Sequence, residues 1–126
     1  MSKIALEDLA RTSLSNVKAR NREAWLDMFA DDAVVEDPVG PYEWDPEGKG
    51  QQGKAAIGAF YDMFCSFQDS FDFEIHHQEA RGNELAVFVT MYVTMKDGTT
   101  HPNKAINIYK QGPDGKVVSL RSFWNS

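Results

Sequence analysis

The chain is poor in cysteine. Cys65 is the single one among 126 residues, so no internal disulfide can close. No stretch approaches the roughly 18 consecutive apolar residues of a membrane-spanning helix. The opening segment MSKIALEDLARTS lacks the apolar core of a secretory signal. Together these absences predict a cytoplasmic protein. Basic residues are also in deficit: 13 Lys and Arg against 19 Asp and Glu, for a net charge of −6. Binding to phosphate backbones or anionic lipid needs clustered positive charge, so nucleic acid and membrane surfaces are not expected as partners. A neutral, apolar ligand is not excluded. No HxxxH or CxxC spacing occurs; His76 and His77 are adjacent, hence on opposite sides of a strand, and His101 is far along the chain. No metal is predicted. The GKGQQGK segment at 48–54 follows no clear strand and lacks the pattern of a phosphate loop, so no cofactor is predicted either.

What is present is ordinary globular composition, 42% hydrophobic and 25% charged, in a chain of single-domain length. One domain, 1–126, is expected. Residues 5–20 read as a helix with Leu6, Leu9, Ala10 and Val17 on one side and Ser13 inside that stripe. Residues 21–30 read as a second helix, capped by Asn21 and apolar at Trp25, Met28 and Phe29. DDAVVED is a short strand stopped by Pro38, and residues 40–53 form a loop rich in Gly and Pro. A third helix, 54–67, puts Ile57, Phe60, Tyr61 and Phe64 on one face. The remainder reads as strands: FDFEIHHQEARG, then NELAVFVTMYVTMKDG with an Asp97-Gly98 hairpin signal, then two more around GPDG. Helices followed by a meander predict an α+β fold: three N-terminal helices packed on a strongly curved, mostly antiparallel sheet.

Strand parity singles out one acid. Ala33, Val35, Asp37 and Val39 point one way, Val34, Glu36 and Pro38 the other, so Asp37 is the lone polar group on an apolar face. If that face is closed from water, desolvation raises the carboxyl pKa towards neutrality and suits a general base. The same pattern fits a strand end that frays and leaves both acids wet. In the meander, Ala86, Phe88, Thr90, Tyr92 and Thr94 share one face; Ala105, Asn107 and Tyr109 share another; Leu120, Ser122 and Trp124 a third. Such sets, apolar with a few polar groups, are how a ligand pocket is lined, and equally how a covered sheet face looks. Cys65, between Phe64 and Phe67, reads as a small buried hydrophobe.

The segments FADDAVVEDPVG (29–40), GKAAIGAFY (53–61) and GKVVSLRSFW (115–124) resemble the ketosteroid isomerase branch of the nuclear transport factor 2-like (SnoaL-like) superfamily in order and spacing. The resemblance implies a conical bent sheet closing an apolar cavity, a homodimer, a small apolar ligand such as a steroid, and chemistry without cofactor. It implies Asp37 as general base. It places Ser13 where the family has its oxyanion tyrosine, a residue too short to copy a phenol, and Asn107 where the family has a protonated aspartic acid. Tyr61 and Trp124 match cavity aromatics, and Tyr92 a cavity-lining position; Tyr61 or Tyr92 is then left to serve as donor. Trp25, Phe60, Leu120 and Tyr109 are expected to line the substrate cavity. The loop from Pro41 to Gln52 is longer than in the isomerases, and its Tyr42 and Trp44 are expected to cover the cavity mouth. The resulting expectation is a steroid Δ-isomerase-like enzyme. The alternatives are a non-catalytic binder of steroid-like ligands, or a SnoaL-like cyclase or epoxide hydrolase using Asp37 and Arg121. A protein transport role is set aside, because the motifs match the isomerase branch.

Overall fold

The computed structural model describes residues 3–125. A 3-10 turn at Leu6–Asp8 leads into α1 (Leu9–Lys18), followed by α2 (Arg22–Asp27), β1 (Phe29–Glu36), β2 (Gln51–Gln52), α3 (Gly53–Phe67), β3 (Gln68–Arg81), β4 (Glu84–Met95), β5 (Thr100–Gln111) and β6 (Val117–Phe123). Asn21 caps α2 as expected, its side chain accepting from the Ala24 N–H at 3.3 Å. The helix is shorter than its sequence suggested. Phe29, read as part of its apolar face, instead opens β1 and pairs with Val117 of β6.

All strands join one six-stranded sheet in the order β2-β1-β6-β5-β4-β3. β1 runs parallel to β6, and the other neighbours are antiparallel. β3 and β4 are long, and β3 is bulged between Gln68 and Ser70 and between Ile75 and His77. Each bulge adds a residue to one strand only, which bends and twists the ladder, so the sheet curls around the helices instead of lying flat. The hairpin at Asp97-Gly98 forms as expected, with Gly98 at φ +92 and its N–H on the Met95 carbonyl.

The core fills the concave side. Leu9, Ala10, Leu14 and Val17 of α1 and Ile57, Phe60 and Tyr61 of α3 face Val87, Val89, Ala105, Tyr109, Val117 and Leu120 of the sheet, all buried. Arg20 ties the ends of α1 and α3 together: its guanidinium donates to the carbonyls of Gln68 and Asp69, both at 2.9 Å, and of Cys65 at 3.4 Å. Orphan carbonyls at the α3 C-terminus are thus satisfied.

One expected face is reversed. The cavity side of β4 carries Leu85, Val87, Val89, Met91, Val93 and Met95, while Phe88, Thr90 and Tyr92 lie on the convex side. There Thr90 bonds His76 at 2.6 Å, and Phe88 packs on the His76 ring. Among the described residues, no helix is long and apolar enough to cross a membrane.

Candidate active site

Two connected hollows open on the concave face. The outer chamber, of about 390 Å³, is walled by Trp44, Phe60, Phe64, Phe71, Met91 and Trp124. An inner recess of about 60 Å³ lies behind it, and its polar lining comes from Ser13, Tyr61, Asn107, Tyr109 and Ser122. Asp37 borders both. The alternation of β1 explains its position. Ala33 and Val35 are fully buried, and the next residue in that phase enters the cavity as the strand ends.

The Asp37 carboxylate accepts from the Trp124 indole N–H at 2.6 Å, and its backbone carbonyl accepts from the Trp44 indole N–H at 2.6 Å. Burial pushes its pKa from 3.8 up to about 6, although the bond from Trp124 pulls the other way. Desolvation therefore outweighs hydrogen bonding, and the group titrates near neutrality without any cationic partner.

Ser13 and Asn107 sit together in the recess as the motifs implied. Ser13 Oγ accepts from the Trp25 indole N–H at 3.1 Å, and Asn107 Oδ1 accepts from the Ser122 hydroxyl at 2.6 Å. Tyr61, Trp25, Leu120 and Tyr109 line the recess, Trp124 the outer chamber, and Phe60 both. Tyr92 does not reach the cavity. It stands on the convex side of β4, where its hydroxyl donates to Glu74 at 3.3 Å. Its assignment as a substrate-binding residue, and as a donor in place of the family's phenol, is corrected by strand parity.

The sequence reading passed over Met91 and Phe71 as cavity residues. Met91 follows at once from the corrected face of β4, and Phe71 reaches the cavity from β3 beside the Phe64 ring, 5.9 Å away. Trp44, expected at the mouth, is a wall of the outer chamber. Its ring lies 4.6 Å from Tyr42 and 6.2 Å from both Phe60 and Trp124. Arg121 does not approach Asp37: it bonds Glu36 at 2.7 Å and covers the Phe123 ring on the outside of the sheet. The acid–arginine network required by a hydrolase is not assembled around these two residues.

A conical sheet closed by helices, with one desolvated acid where an apolar outer chamber meets a recess with polar lining, defines a small-molecule cavity protein of α+β type. The family model of the SnoaL-like domain matches residues 10–120, and the chain belongs to that family. Among solved structures it is similar to the Δ5-3-ketosteroid isomerase from Mycobacterium sp., at 30% identity and TM-score 0.87, covering 95% of this chain and 92% of that one. It is similar to RV0760c from Mycobacterium tuberculosis in complex with estradiol-17β-hemisuccinate, at 28% identity and TM-score 0.86, covering 98% and 95%. A computationally designed 17-OHP binder matches at 26% identity and TM-score 0.88, covering 95% and 92%. No curated protein matches in sequence.

Proposed function

We propose that the protein moves a proton α to the carbonyl of a steroid-like polycyclic ketone, with Asp37 as the base. The observation that carries this reading is the Asp37 carboxyl, desolvated to a pKa of about 6 where the outer chamber meets the recess. A base of that strength is ionised at neutral pH yet gives the proton back readily. The ketone oxygen enters the recess and the fused rings lie against the aromatic walls of the outer chamber. Asp37 takes the proton from the α-carbon; the C–H electron pair becomes a C=C bond, and the carbonyl π pair moves onto oxygen. The protonated acid then delivers the proton to the γ-carbon, the carbonyl re-forms, and the double bond ends in conjugation. Atoms and charge balance with no cofactor.

Similarity to an isomerase and to a structure with a bound steroid derivative supports the ligand class. The test is the ultraviolet absorbance of a 5-ene-3-ketosteroid as it becomes a conjugated enone. Equal rates for the wild type and Asp37→Asn remove Asp37 from the role of base.

A second reading, binding without turnover, is favoured by one observation: Ser13 stands where the family has its oxyanion phenol, and loss of such a donor typically costs about 10²–10³ in rate. Under that reading a steroid raises the melting temperature of wild type and Asp37→Asn alike, and no enone forms.

The partner in either case is a second copy of the chain, seated on the convex face. Phe88, Ile106 and Phe123 are paired in register across β4, β5 and β6 and are 40%, 50% and 39% exposed. A contiguous apolar row of this kind is unusual on a free surface.

A further inference from the structure

β5 crosses both hollows, and its cavity face is graded in depth. His101, Asn103, Ala105, Asn107 and Tyr109 share that face. Ala105, Asn107 and Tyr109 are buried, Asn103 is half-buried and His101 is exposed, so the strand runs outward from the recess to the mouth. Its pairing with β4 carries no bulge, from Glu84 opposite Lys110 to Thr94 opposite Thr100. Residues two apart on this face therefore stand about 7 Å apart, and Asn107 and Asn103 about 13 Å.

The two ends of that span differ. Asn107 borders the recess, where the ketone oxygen is held in the proton-transfer reading. Asn103 borders the outer chamber opposite Met91, with Phe67, Phe71, Val93 and Met95 as further walls. None of these side chains offers an amide a strong hydrogen-bond partner, so in the open chamber the Asn103 amide is hydrated. Asp37 stands near the inner end. The Val39 N–H bonds the Ser122 carbonyl at 2.9 Å, and Ser122 pairs with Asn107, while the Asp37 carboxylate meets Trp124 two residues further out. A ring system with its ketone oxygen at the level of Asn107 thus passes the base with its adjacent carbons, and its far end arrives at the level of Asn103. Four fused rings with an oxygen at each end match that span; two fused rings stop short of it.

A ligand that fills the chamber takes the water from the Asn103 amide. A hydrocarbon end leaves the amide unpaired, whereas an oxygen there restores the bond. The amide is uncharged and both donates and accepts, so it suits a ketone and a hydroxyl alike. His101 and Asn125 also border the chamber, but both are exposed and keep their water whichever end arrives.

We propose that Asn103 is a specificity-determining residue that selects four-ring ligands bearing an uncharged oxygen, ketone or hydroxyl, at the end remote from the reacting ketone. The inference deepens the proton-transfer reading and rests on it for the orientation of the ligand, reacting ketone inward.

The test is equilibrium binding to the full chain, read by quenching of tryptophan fluorescence, since Trp44 and Trp124 wall the chamber. The probes are two conjugated steroid enones, which stand at the end of the proposed reaction and do not turn over. One carries a second ketone on its far ring; the other has a methylene in its place. The readout is the ratio of their Kd values in each protein, in which the difference in water solubility between the probes is the same for every variant and cancels. Asn103→Leu, similar in size and without a polar group, is expected to shift the ratio about tenfold against the diketone. His101→Ala and Asn125→Ala are expected to leave it unchanged. Should Asn103→Leu fail to fold, judged by circular dichroism, Asn103→Ala takes its place with a shift in the same direction. A ratio unmoved by the Asn103 variant, or moved further by either of the other two, overturns the proposal. Absence of binding by both probes overturns it together with the ligand class. If the ratio shifts as expected but Asp37→Asn converts a 5-ene-3-ketosteroid as fast as the wild type, the proton-transfer reading fails and the selection by Asn103 stands for a bound ligand.

Discussion

An ionised carboxylate in a largely apolar cavity loses hydration, and Asp37 recovers the indole N–H of Trp124 in exchange. Its pKa is raised from 3.8 to about 6, so folding favours the protonated form. Below 3.8 both folded and unfolded chains are protonated there, and this contribution to stability is fully present; it is lost as pH rises through about 6. Asp37→Asn, which carries no charge, is therefore expected to stabilise the fold by on the order of 3 kcal/mol at about pH 8 and hardly at all near pH 4. Denaturant midpoints at the two pH values check this; an equal gain at both would show the carboxylate to be solvated. Activity runs the opposite way. In the proposed proton transfer the base acts ionised, so kcat/KM is expected to rise to a plateau above about pH 6. Trp124→Phe removes a bond that holds the pKa down, so the rising limb of the pH–rate profile is expected to move to higher pH. Parity singled out Asp37, but the same pattern fitted a frayed strand end, and the resemblance of its motif was needed to place the acid in a cavity. The two indoles that bond Asp37 were not legible, because Trp44 reaches it from the loop after β1 and Trp124 from the end of β6.

The segment between β1 and α3 reads as a loose loop from its glycines and prolines, but it is pinned. Both carboxylate oxygens of Asp45 accept backbone N–H groups, from Lys49 at 3.1 Å and Gly50 at 2.9 Å, and Gln51 holds the Trp44 carbonyl at 3.1 Å. Gly50 sits at φ +80 so close to β1 that a Cβ would meet the Val35 carbonyl oxygen at 2.9 Å; only glycine allows the approach. Asp45→Ala leaves both N–H groups without their acceptor. It is expected to cost about 1–3 kcal/mol, to speed tryptic cleavage at Lys49, and to weaken ligand binding by freeing Trp44. Unchanged cleavage would show that the loop is held by its aromatic contacts alone. β4 teaches a different lesson. Its alternation was plain, but its phase was not, because both faces carry large apolar residues: Val89 and Met91 inside, Phe88 and Tyr92 outside. Hydropathy cannot orient a strand whose convex side is itself apolar.

That convex side bears on the assembly. Ile106→Glu places a charge in the middle of the exposed row of Phe88, Ile106 and Phe123. It is expected to convert a dimer to single chains in light scattering, with the cavity and the fold intact. A wild type that already scatters as one chain would refute the partner. Ligand binding is also a property of the whole fold. A steroid at about 100 times Kd is expected to stabilise the protein by about 2.7 kcal/mol, and a polycyclic panel with no effect on melting would count against both the enzyme and the binder.

The order of helices and strands, the placement of Asp37 on an apolar face and the hairpin at Asp97-Gly98 were all set by local periodicity and turn chemistry. These act between residues near in the chain, so they can be read along it. The face of β4 that meets the cavity, the separation of Arg121 from Asp37, the pinning of the loop and the two indole bonds to Asp37 were decided only by tertiary structure. Each depends on which distant groups meet after the sheet curls, and on how much water that curl removes from them.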